Sequence, residues 1–254
     1  MKKIVEVRGV KIGEGIPKIC VSIVGENTKL LIEEIEQIKT LDIDIVEWRI
    51  DYYKEIENME QVMNTLNELR NMLGNIPLLV TFRSKKEGGQ RELKLEEYIE
   101  MNKAIIATHK ADLIDVELFI GEDAVKEIID VAHKNNIKVV VSNHDFEKTP
   151  SKEEIVKRLQ KMQELNADLP KIAVMPQVTS DVITLLSATD EMVTRYADRP
   201  IITMSMAGMG TVSRLCGEVF GSALTFGAAK MASAPGQISV NKLHDILHIM
   251  HENR

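Results

Sequence analysis

The amino-acid sequence predicts an α/β protein, a single (β/α)8 TIM barrel over residues 1–254 with an N-terminal β-hairpin covering the bottom of the barrel. Eight short β-rich apolar runs follow one another, with polar turns and amphipathic stretches between them, and parallel strands need such crossover connections. The length of 254 residues is close to the roughly 250 that this barrel usually takes. A doubly wound open sheet would show the same alternation and stays open as the structural alternative.

The barrel strands are predicted from runs rich in branched apolar residues, such as KICVSIVG. They cover residues 18–25, 44–51, 77–83, 111–118, 137–143, 170–176, 200–206 and 222–226. Helices are predicted where apolar residues recur at helical spacing, as Leu31, Ile35 and Ile38 do in the first. They cover residues 29–41, 59–72, 95–108, 122–133, the stretch after 151, 180–188 and 240–251.

The first 16 residues do not follow this alternation. IVEVRGVKIG predicts a β-hairpin that turns at Arg8 and Gly9. A hairpin ahead of the first barrel strand could cover the amino-terminal mouth of the barrel. A loosely packed tail is the alternative.

The composition excludes several classes of protein. Hydrophobic residues make up 44% of the chain and charged residues 28%, which is typical of a globular domain with a large core. Because the net charge is -7, neither nucleic acid nor an anionic membrane is expected as a partner. We expect no signal peptide and no membrane span. Cys20 and Cys216 form no CxxC pattern and are expected to be reduced thiols of a cytoplasmic protein.

Charged residues at the end of the second barrel strand are candidates for an active site. In this fold the active site lies at the carboxyl ends of the strands, and alternation places Glu47, Arg49 and Asp51 on one side. Charges on one face of a buried strand are costly unless they pair or meet a ligand. A structural network of ion pairs and a binding site both stay open at this point.

Candidates for proton transfer follow the third and fifth barrel strands. Arg83 leads into a charged loop in which Gly88 and Gly89 permit a sharp turn, and a carboxylate there could orient a base. His144 ends the fifth strand, where a histidine suits proton transfer near neutral pH. A purely structural histidine fits the motif equally well.

Lys171 in the sixth barrel strand is the candidate nucleophile. It shares one face with Ala173 and Met175, and if that face points inward the amine enters the barrel beside a small side chain. Buried lysines are paired or have a lowered pKa, and lysines with a lowered pKa form Schiff bases. Lys171 nevertheless lies at the start of its predicted strand, the end associated with stability rather than catalysis. A catalytic role and a structural role therefore stay open.

Two segments near the carboxyl end could bind a ligand. Gly208 and Gly210 could cradle a phosphate, whereas Arg214 is suited to holding a carboxylate through two parallel hydrogen bonds. The small uncharged residues at 231–237 are typical of a lid, although an ordinary turn has the same composition.

Three histidines, His244, His248 and His251, lie on one side of the last predicted helix. HDILH is similar to the zinc-protease pattern HExxH. A zinc site needs a further ligand and a position for water, and the sequence offers neither nearby. Surface histidines are therefore favoured and no metal is expected.

Six motifs together carry a resemblance to a known enzyme family. They are EWRID, TFRSKKEGG, SNHDF, PKIAVMP, ITMSMAGMGTVSRLCGEVFGSALTFGA and ASAPGQI, in that order over nearly the whole chain. Each motif alone is weak evidence for a family, whereas the six motifs together are specific for one. On these motifs the chain resembles the type I 3-dehydroquinases of the shikimate pathway.

The resemblance implies three catalytic roles. Lys171 matches the Schiff-base lysine, His144 the general acid/base, and Glu87 the glutamate that orients His144. It further implies that Arg214 holds the substrate carboxylate and that residues 229–238 form a lid over the substrate. The implied substrate contacts are Ser22, Glu47, Arg49, Arg83, Arg214, Ser233 and Gln237.

The resemblance also implies the reaction. The substrate 3-dehydroquinate would lose water by syn elimination and give 3-dehydroshikimate, through an imine on Lys171 and without a metal or dissociable cofactor. A protonated imine is an electron sink that acidifies the neighbouring C–H bond, so the chemistry is physically reasonable. The family is typically homodimeric, so the resemblance implies a homodimer here.

Three other interpretations of the same residues are possible. Another Schiff-base barrel, such as a class I aldolase or transaldolase, would favour a phosphate cradle over Arg214 and the ASAPGQ loop. A phosphate-binding barrel would use the loop at 208–210. A binding protein on an inactivated barrel predicts loss of Lys171 or His144, and both are present.

Overall fold

Eight parallel strands close into the barrel that the sequence predicts, and a separate hairpin precedes them. The structure is a computed structural model that describes residues 3–229 and 235–254. The strands of these residues are β1 (Val5–Val7), β2 (Val10–Ile12), β3 (Lys18–Ile23), β4 (Ile45–Arg49), β5 (Leu78–Thr81), β6 (Leu113–Glu117), β7 (Lys138–Asp145), β8 (Leu169–Val174), β9 (Ile202–Ser205), β10 (Leu224–Ala228) and β11 (Ile238–Ser239).

The barrel closes at a seam between β9 and β10. Strands β3 to β9 pair in chain order, all parallel, and β10 returns to pair with β3. At the lower end of the seam Ile201 and Ser222 form a parallel bridge, and the Ala223 amide donates to the Ile201 carbonyl at 2.9 Å. At the upper end β11 pairs with β10 instead, through Gly227 and Ile238. The segment around β11 therefore fills the gap on the side where the strands end.

The predicted eighth strand at 222–226 is two residues early, because β10 spans Leu224–Ala228. Ser222 turns its hydroxyl to the backbone of Thr203, accepting from the amide at 3.0 Å. Two small residues, Gly227 and Ala228, end the strand, and small residues carry little β-signal in a sequence.

Helices alternate with the strands as predicted. They are α1 (Thr28–Ile38), α2 (Met59–Leu73), α3 (Leu95–Ala107), α4 (Glu122–Lys134), α5 (Lys152–Glu164), α6 (Thr179–Glu191), α7 (Thr211–Leu215), α8 (Gly217–Phe220) and α9 (Val240–Glu252). Side chains cap several amino termini: Asn27 accepts from the Leu30 amide at 3.0 Å and Asn58 from the Gln61 amide at 3.3 Å. The short helices α7 and α8, and a π-helical turn after α6, were not predicted.

The strands separate two apolar layers. Side chains such as Val46 and Trp48 point outward and pack against the helices, whereas alternate ones such as Ile45 and Leu79 point into the barrel. The lower interior is apolar, with Cys20, Leu113, Val140 and Leu169 in the same cluster. Above this level the interior becomes polar, and that change sets the floor of the candidate site.

The hairpin of β1 and β2 covers the bottom of the barrel, as predicted. Val5, Val7 and Ile12 pack into the same cluster as the lower interior residues. The turn places Arg8 at φ 48° and Gly9 at φ 83°, in the left-handed region that glycine adopts readily. Arg8 Nε lies 2.6 Å from Asp112 Oδ1, which ties the hairpin to the start of β6. A loosely packed tail is thereby excluded.

Both cysteines, Cys20 and Cys216, are free and buried. Within residues 3–229 and 235–254, none of the helices combines the length and apolar character needed to cross a membrane.

Candidate active site

A cavity opens where the barrel strands end, and side chains of β4, β7, β8, β9 and β10 and of the loop after β5 converge on it. Its lining residues are Glu47, Arg49, Arg83, Glu87, Gly88, His144, Phe146, Lys171, Ala173, Met204, Met206, Arg214, Phe226 and Gln237. The structure therefore brings together eight of the predicted site residues in one place.

Lys171 lies inside the barrel with 3% of its surface exposed. Its Nζ is 3.3 Å from Asp115 Oδ2, 4.0 Å from Glu47 Oε1 and 4.7 Å from the centre of the Phe226 ring. The inward face predicted for the lysine is confirmed.

The position of Lys171 near the start of its strand is explained by the stagger between strands. Lys171 is the third residue of β8, yet it pairs with Ser142, the fifth residue of β7. Neighbouring strands of a closed barrel are shifted in register. A residue early in β8 therefore reaches the level at which β7 is already near its end.

Two carboxylates of β6, Asp115 and Glu117, enter the same interior, and sequence reasoning missed them. Asp115 is fully buried and Glu117 is 4% exposed. Their alternation in LIDVE is the same signal that marked Glu47 and Arg49 in the second barrel strand. Applied to the fourth barrel strand, that signal would have found both.

Arg83 is surrounded by these carboxylates. Its Nη2 is 2.8 Å from Asp115 Oδ1, and its Nη1 is 2.9 Å from Glu117 Oε1 and 3.6 Å from Glu87 Oε2. Burial lowers the pKa of Arg83, but Asp115, Glu117 and Glu87 outweigh that effect and raise the pKa above its usual value. Arg83 is thus a permanently charged centre of the network and also lines the cavity.

The charges on β4 divide into an ion pair and a hydrogen-bonded carboxylate. Arg49 donates two hydrogen bonds of 2.8 Å to Asp51, so the structural pairing considered for this strand is present. Glu47 accepts from Thr81 Oγ1 at 2.8 Å and from the Ser22 hydroxyl. Arg49 and Glu47 still face the cavity, and pairing and ligand contact are therefore compatible.

His144 and Glu87 form a buried pair. His144 Nδ1 is 2.9 Å from Glu87 Oε2, and the His144 amide donates to the same oxygen at 2.9 Å. Burial holds the pKa of His144 well below 6.5, and the cations Arg83, Lys171 and Arg49 lower it further. Burial also raises the pKa of Glu87 to about 8 against the effect of Arg83. His144 is therefore a neutral imidazole whose tautomer depends on the proton that Glu87 holds.

Arg214 is a buried cation that forms no ion pair with a carboxylate of residues 3–229 and 235–254. It is 2% exposed, and its contacts are the Met204 sulfur at 3.6 Å and the Pro235 carbonyl at 3.1 Å. Burial alone lowers its pKa from 12.5 to about 10. The buried Nε has no hydrogen-bond partner in the described chain. Since buried charges need a counter-charge, this side chain is placed to receive an anion.

The predicted lid is described in part. Gln237 lines the cavity, and Pro235 contacts Arg214. Ser233 lies outside the described residues. Gly210, considered above as part of a phosphate cradle, packs against the backbone of Ser205, where a Cβ would lie 2.3 Å from the carbonyl. Close packing therefore accounts for that glycine.

Two of the three α9 histidines lie beside carboxylates, and His248 lies against the ring of His244. His244 Nε2 is 3.0 Å from Asp42, and His251 Nδ1 is 2.8 Å from Glu218. Within the described part of the chain, His, Cys, Asp and Glu side chains form no group of three or more placed to hold a metal ion.

A parallel eight-stranded barrel with a buried lysine and a histidine–glutamate pair at its carboxyl end is typical of a (β/α)8-barrel enzyme. The family model of type I 3-dehydroquinase matches residues 19–254. The chain belongs to the type I 3-dehydroquinase family.

Individual relatives agree with this assignment over their full length. The 3-dehydroquinate dehydratase of Clostridium botulinum is 58% identical, with 100% of both chains covered. That of Bacillus licheniformis is 57% identical, also with 100% of both chains covered. A crystal structure of type I 3-dehydroquinate dehydratase from Clostridium difficile, solved with covalent modified comenic acid, is 56% identical, covers 100% of both chains and superposes with a TM-score of 0.98. A structure of 3-dehydroquinate dehydratase from Geobacillus kaustophilus is 38% identical, covers 99% of both chains and has a TM-score of 0.96.

Proposed function

We propose that this chain is a 3-dehydroquinate dehydratase, a hydro-lyase that removes water from 3-dehydroquinate by syn elimination and gives 3-dehydroshikimate. Its full-length relatives carry the name of that activity. The step is the third of the shikimate pathway, which leads to chorismate and the aromatic amino acids. We further propose that the chain works as one barrel domain over residues 1–254, as a homodimer in the cytoplasm.

The burial of Arg214 without a carboxylate partner among the described residues is the main support for this proposal. A buried guanidinium without a carboxylate partner among the described residues is costly, and a substrate carboxylate would supply the missing charge through charge-assisted hydrogen bonds. Arg214 lines the same cavity as Lys171 and His144. An anionic substrate held there would have its ring fixed against the amine and the imidazole, and such positioning lowers the barrier to reaction.

Lys171 supplies the amine. Its ammonium and the substrate ketone combine to give a protonated imine and water, with one positive charge on each side of the equation. The imine withdraws electrons from the neighbouring carbon and acidifies its proton. Removing the proton gives a neutral enamine, which expels the β-hydroxyl as water once that oxygen is protonated. Hydrolysis of the second imine releases the product and restores the lysine.

His144 moves the protons, and Glu87 sets its tautomer. When Glu87 is ionised it accepts from Nδ1–H, so Nε2 carries a lone pair and acts as a base. When the pair holds one more proton, Nε2–H is the acid that protonates the departing hydroxyl. One imidazole can therefore serve both steps on the same face of the ring, as a syn elimination needs.

The remaining predicted residues surround the bound substrate. Glu47, Arg49 and Arg83 present hydrogen-bonding groups to the substrate ring from the cavity wall. Ser22, which was expected to contact the substrate directly, lines a neighbouring cavity and acts through its hydrogen bond to Glu47. Ser233 and Gln237, in the lid at 229–238, close over the bound substrate.

The test is turnover measured by the ultraviolet absorbance of the conjugated product. Wild-type protein is expected to convert 3-dehydroquinate, and Lys171→Ala and His144→Ala are expected to lose at least 100-fold in kcat, a range typical of an acid/base group. Lys103→Ala is the matched control and should keep wild-type activity, because this half-buried lysine of α3 pairs with Glu100 and Glu127 and does not line the cavity. Absent turnover in the wild type, or undiminished turnover in Lys171→Ala, would contradict the proposal.

A further inference from the structure

Asp115 stands nearer to the Lys171 nitrogen than Glu47 does. Oδ2 is 3.3 Å from Nζ, against 4.0 Å for Glu47 Oε1. Asp115 lies in the middle of β6 and has no exposed surface. Burying a charge is costly without partners. A fully buried carboxylate that points at an amine is therefore expected to interact with that amine.

The two oxygens of Asp115 have different partners. Oδ1 accepts from Ser142 Oγ at 2.6 Å and lies 2.8 Å from Arg83 Nη2, whereas Oδ2 contacts the lysine nitrogen. Burial raises the pKa of Asp115, but Arg83 and then Lys171 outweigh it, and the pKa falls below its usual value. Arg83 and Ser142 therefore fix the carboxylate in its charged form, with one oxygen directed at the amine.

Several other titratable or charged groups lie close to this pair. They are Cys20 of β3, Glu47 and Arg49 of β4, Arg83 after β5, Tyr98 of α3, Glu117 of β6 and His144 of β7. Of these, Glu47 already accepts from Thr81 and Ser22, and Glu117 accepts from Arg83 and the Ser84 amide. Asp115 is thus the carboxylate whose contact with the nitrogen is direct.

We propose that Asp115 is the counterion of the reacting nitrogen, which holds the Lys171 amine in place and stabilises the positive charge of the protonated imine. The inference rests on the proposed function and deepens it. In forming the imine, two N–H bonds of the ammonium and the C=O bond are replaced by C=N and two O–H bonds. The charge of +1 on nitrogen is conserved. Asp115 therefore faces a cation in the free enzyme and again in both imines, and a neutral nitrogen in the enamine.

The isosteric variant Asp115→Asn tests this role. The amide oxygen can still accept from Arg83 and Ser142, whereas the charge is lost. The measurement is the rate at which cyanoborohydride traps the substrate on the protein, followed by mass spectrometry from pH 6 to pH 9. Because a carboxylate within about 4 Å favours the protonated form of an amine, its loss should move the acid limb of the trapping rate to lower pH by about one unit or more. The trapped fraction during turnover should also fall.

Asp112→Asn is the matched control. It makes the same substitution immediately before the same strand, at the opposite end of the barrel, where Asp112 pairs with Arg8 and Arg70. The acid limb of its trapping rate should lie at the same pH as in the wild type. If Asp115→Asn does not fold, Ser142→Ala provides the second test. That change removes the hydroxyl that donates to Asp115 Oδ1, so the carboxylate interacts more strongly with the amine. The acid limb of the trapping rate should therefore move to higher pH.

An acid limb that stays in place in a folded variant overturns the counterion role, even if turnover falls. This outcome is distinct from failure of the proposed function. If the wild type itself gives neither turnover nor an adduct, the dehydratase assignment fails. If the wild type reacts and the variant keeps the wild-type limb, only the role of Asp115 fails.

Discussion

Replacing Arg214 by methionine is expected to stabilise the fold while disabling the site. Burial lowers the pKa of Arg214 from 12.5 to about 10, and one pKa unit corresponds to about 1.4 kcal/mol, so the charged form costs the fold about 3 kcal/mol. The unfolded chain holds this proton more tightly than the folded chain, and the cost is therefore fully present at any pH below about 10.

Methionine has nearly the length of the arginine stem and removes the charge. It also removes the hydrogen bond from Nη2 to the Pro235 carbonyl at 3.1 Å, which contributes about 1 kcal/mol. The net gain in the free energy of unfolding is about 2 kcal/mol, or a rise in Tm of roughly 4–8 °C for a chain of this size. At the same time the substrate carboxylate loses its partner. Losing one member of a buried charge pair costs about 2–5 kcal/mol, which is a fall in kcat/KM of roughly 30- to 5000-fold.

The assay combines urea or thermal unfolding with steady-state kinetics on the same preparations. The loss should appear chiefly in KM, because the carboxylate is held both before and during the reaction. Arg199→Met is the control, since Arg199 is ion-paired with Asp198 and also donates to the Ala167 carbonyl. That variant should lose stability and keep activity. An Arg214→Met protein that is less stable than wild type, with unchanged kcat/KM, would refute the reasoning.

Three further outcomes are expected. In the wild type, kcat/KM should rise with pH up to about 8. Burial raises the pKa of Glu87 to about 8, and only the ionised carboxylate leaves His144 Nε2 as a base. If kcat/KM instead reaches its plateau near pH 6.5, the titrating group is an ordinary histidine. Glu87→Gln should abolish that rise with pH and lower kcat about 10- to 100-fold, and a pH series of both kcat/KM and kcat measures the two effects. Arg8→Ala should cost at most about 1 kcal/mol of stability, because its contact with Asp112 is partly exposed, and a change in kcat would show that the hairpin does more than cover the barrel.

Much of the fold follows from the sequence because its periodicity is strong. Alternating strand and helix patterns locate the eight barrel strands, and the hairpin at Arg8 and Gly9 has a clear turn signal. The seam between β9 and β10 is not predictable in the same way. It depends on two residues of β11 and on one bridge at Ile201, and neither has a pattern of its own.

The candidate site was predicted from polar residues at strand ends, and its geometry depends on facts that a sequence does not carry. The stagger that lifts Lys171 to the level of Ser142 belongs to the closed barrel and not to either strand. Asp115 was missed although its alternation with Glu117 is visible. The division of its two oxygens between Arg83 and Lys171 emerges only when three strands are assembled.

The location of the covalent adduct shows whether Lys171 is the residue that forms the imine. Wild-type protein would be incubated with 3-dehydroquinate and borohydride, digested, and mapped by peptide mass spectrometry. We expect one modified residue, Lys171, which lines the same cavity as His144 and Arg214, and no adduct when substrate or borohydride is left out. An adduct on any other lysine, or none during active turnover, would contradict it.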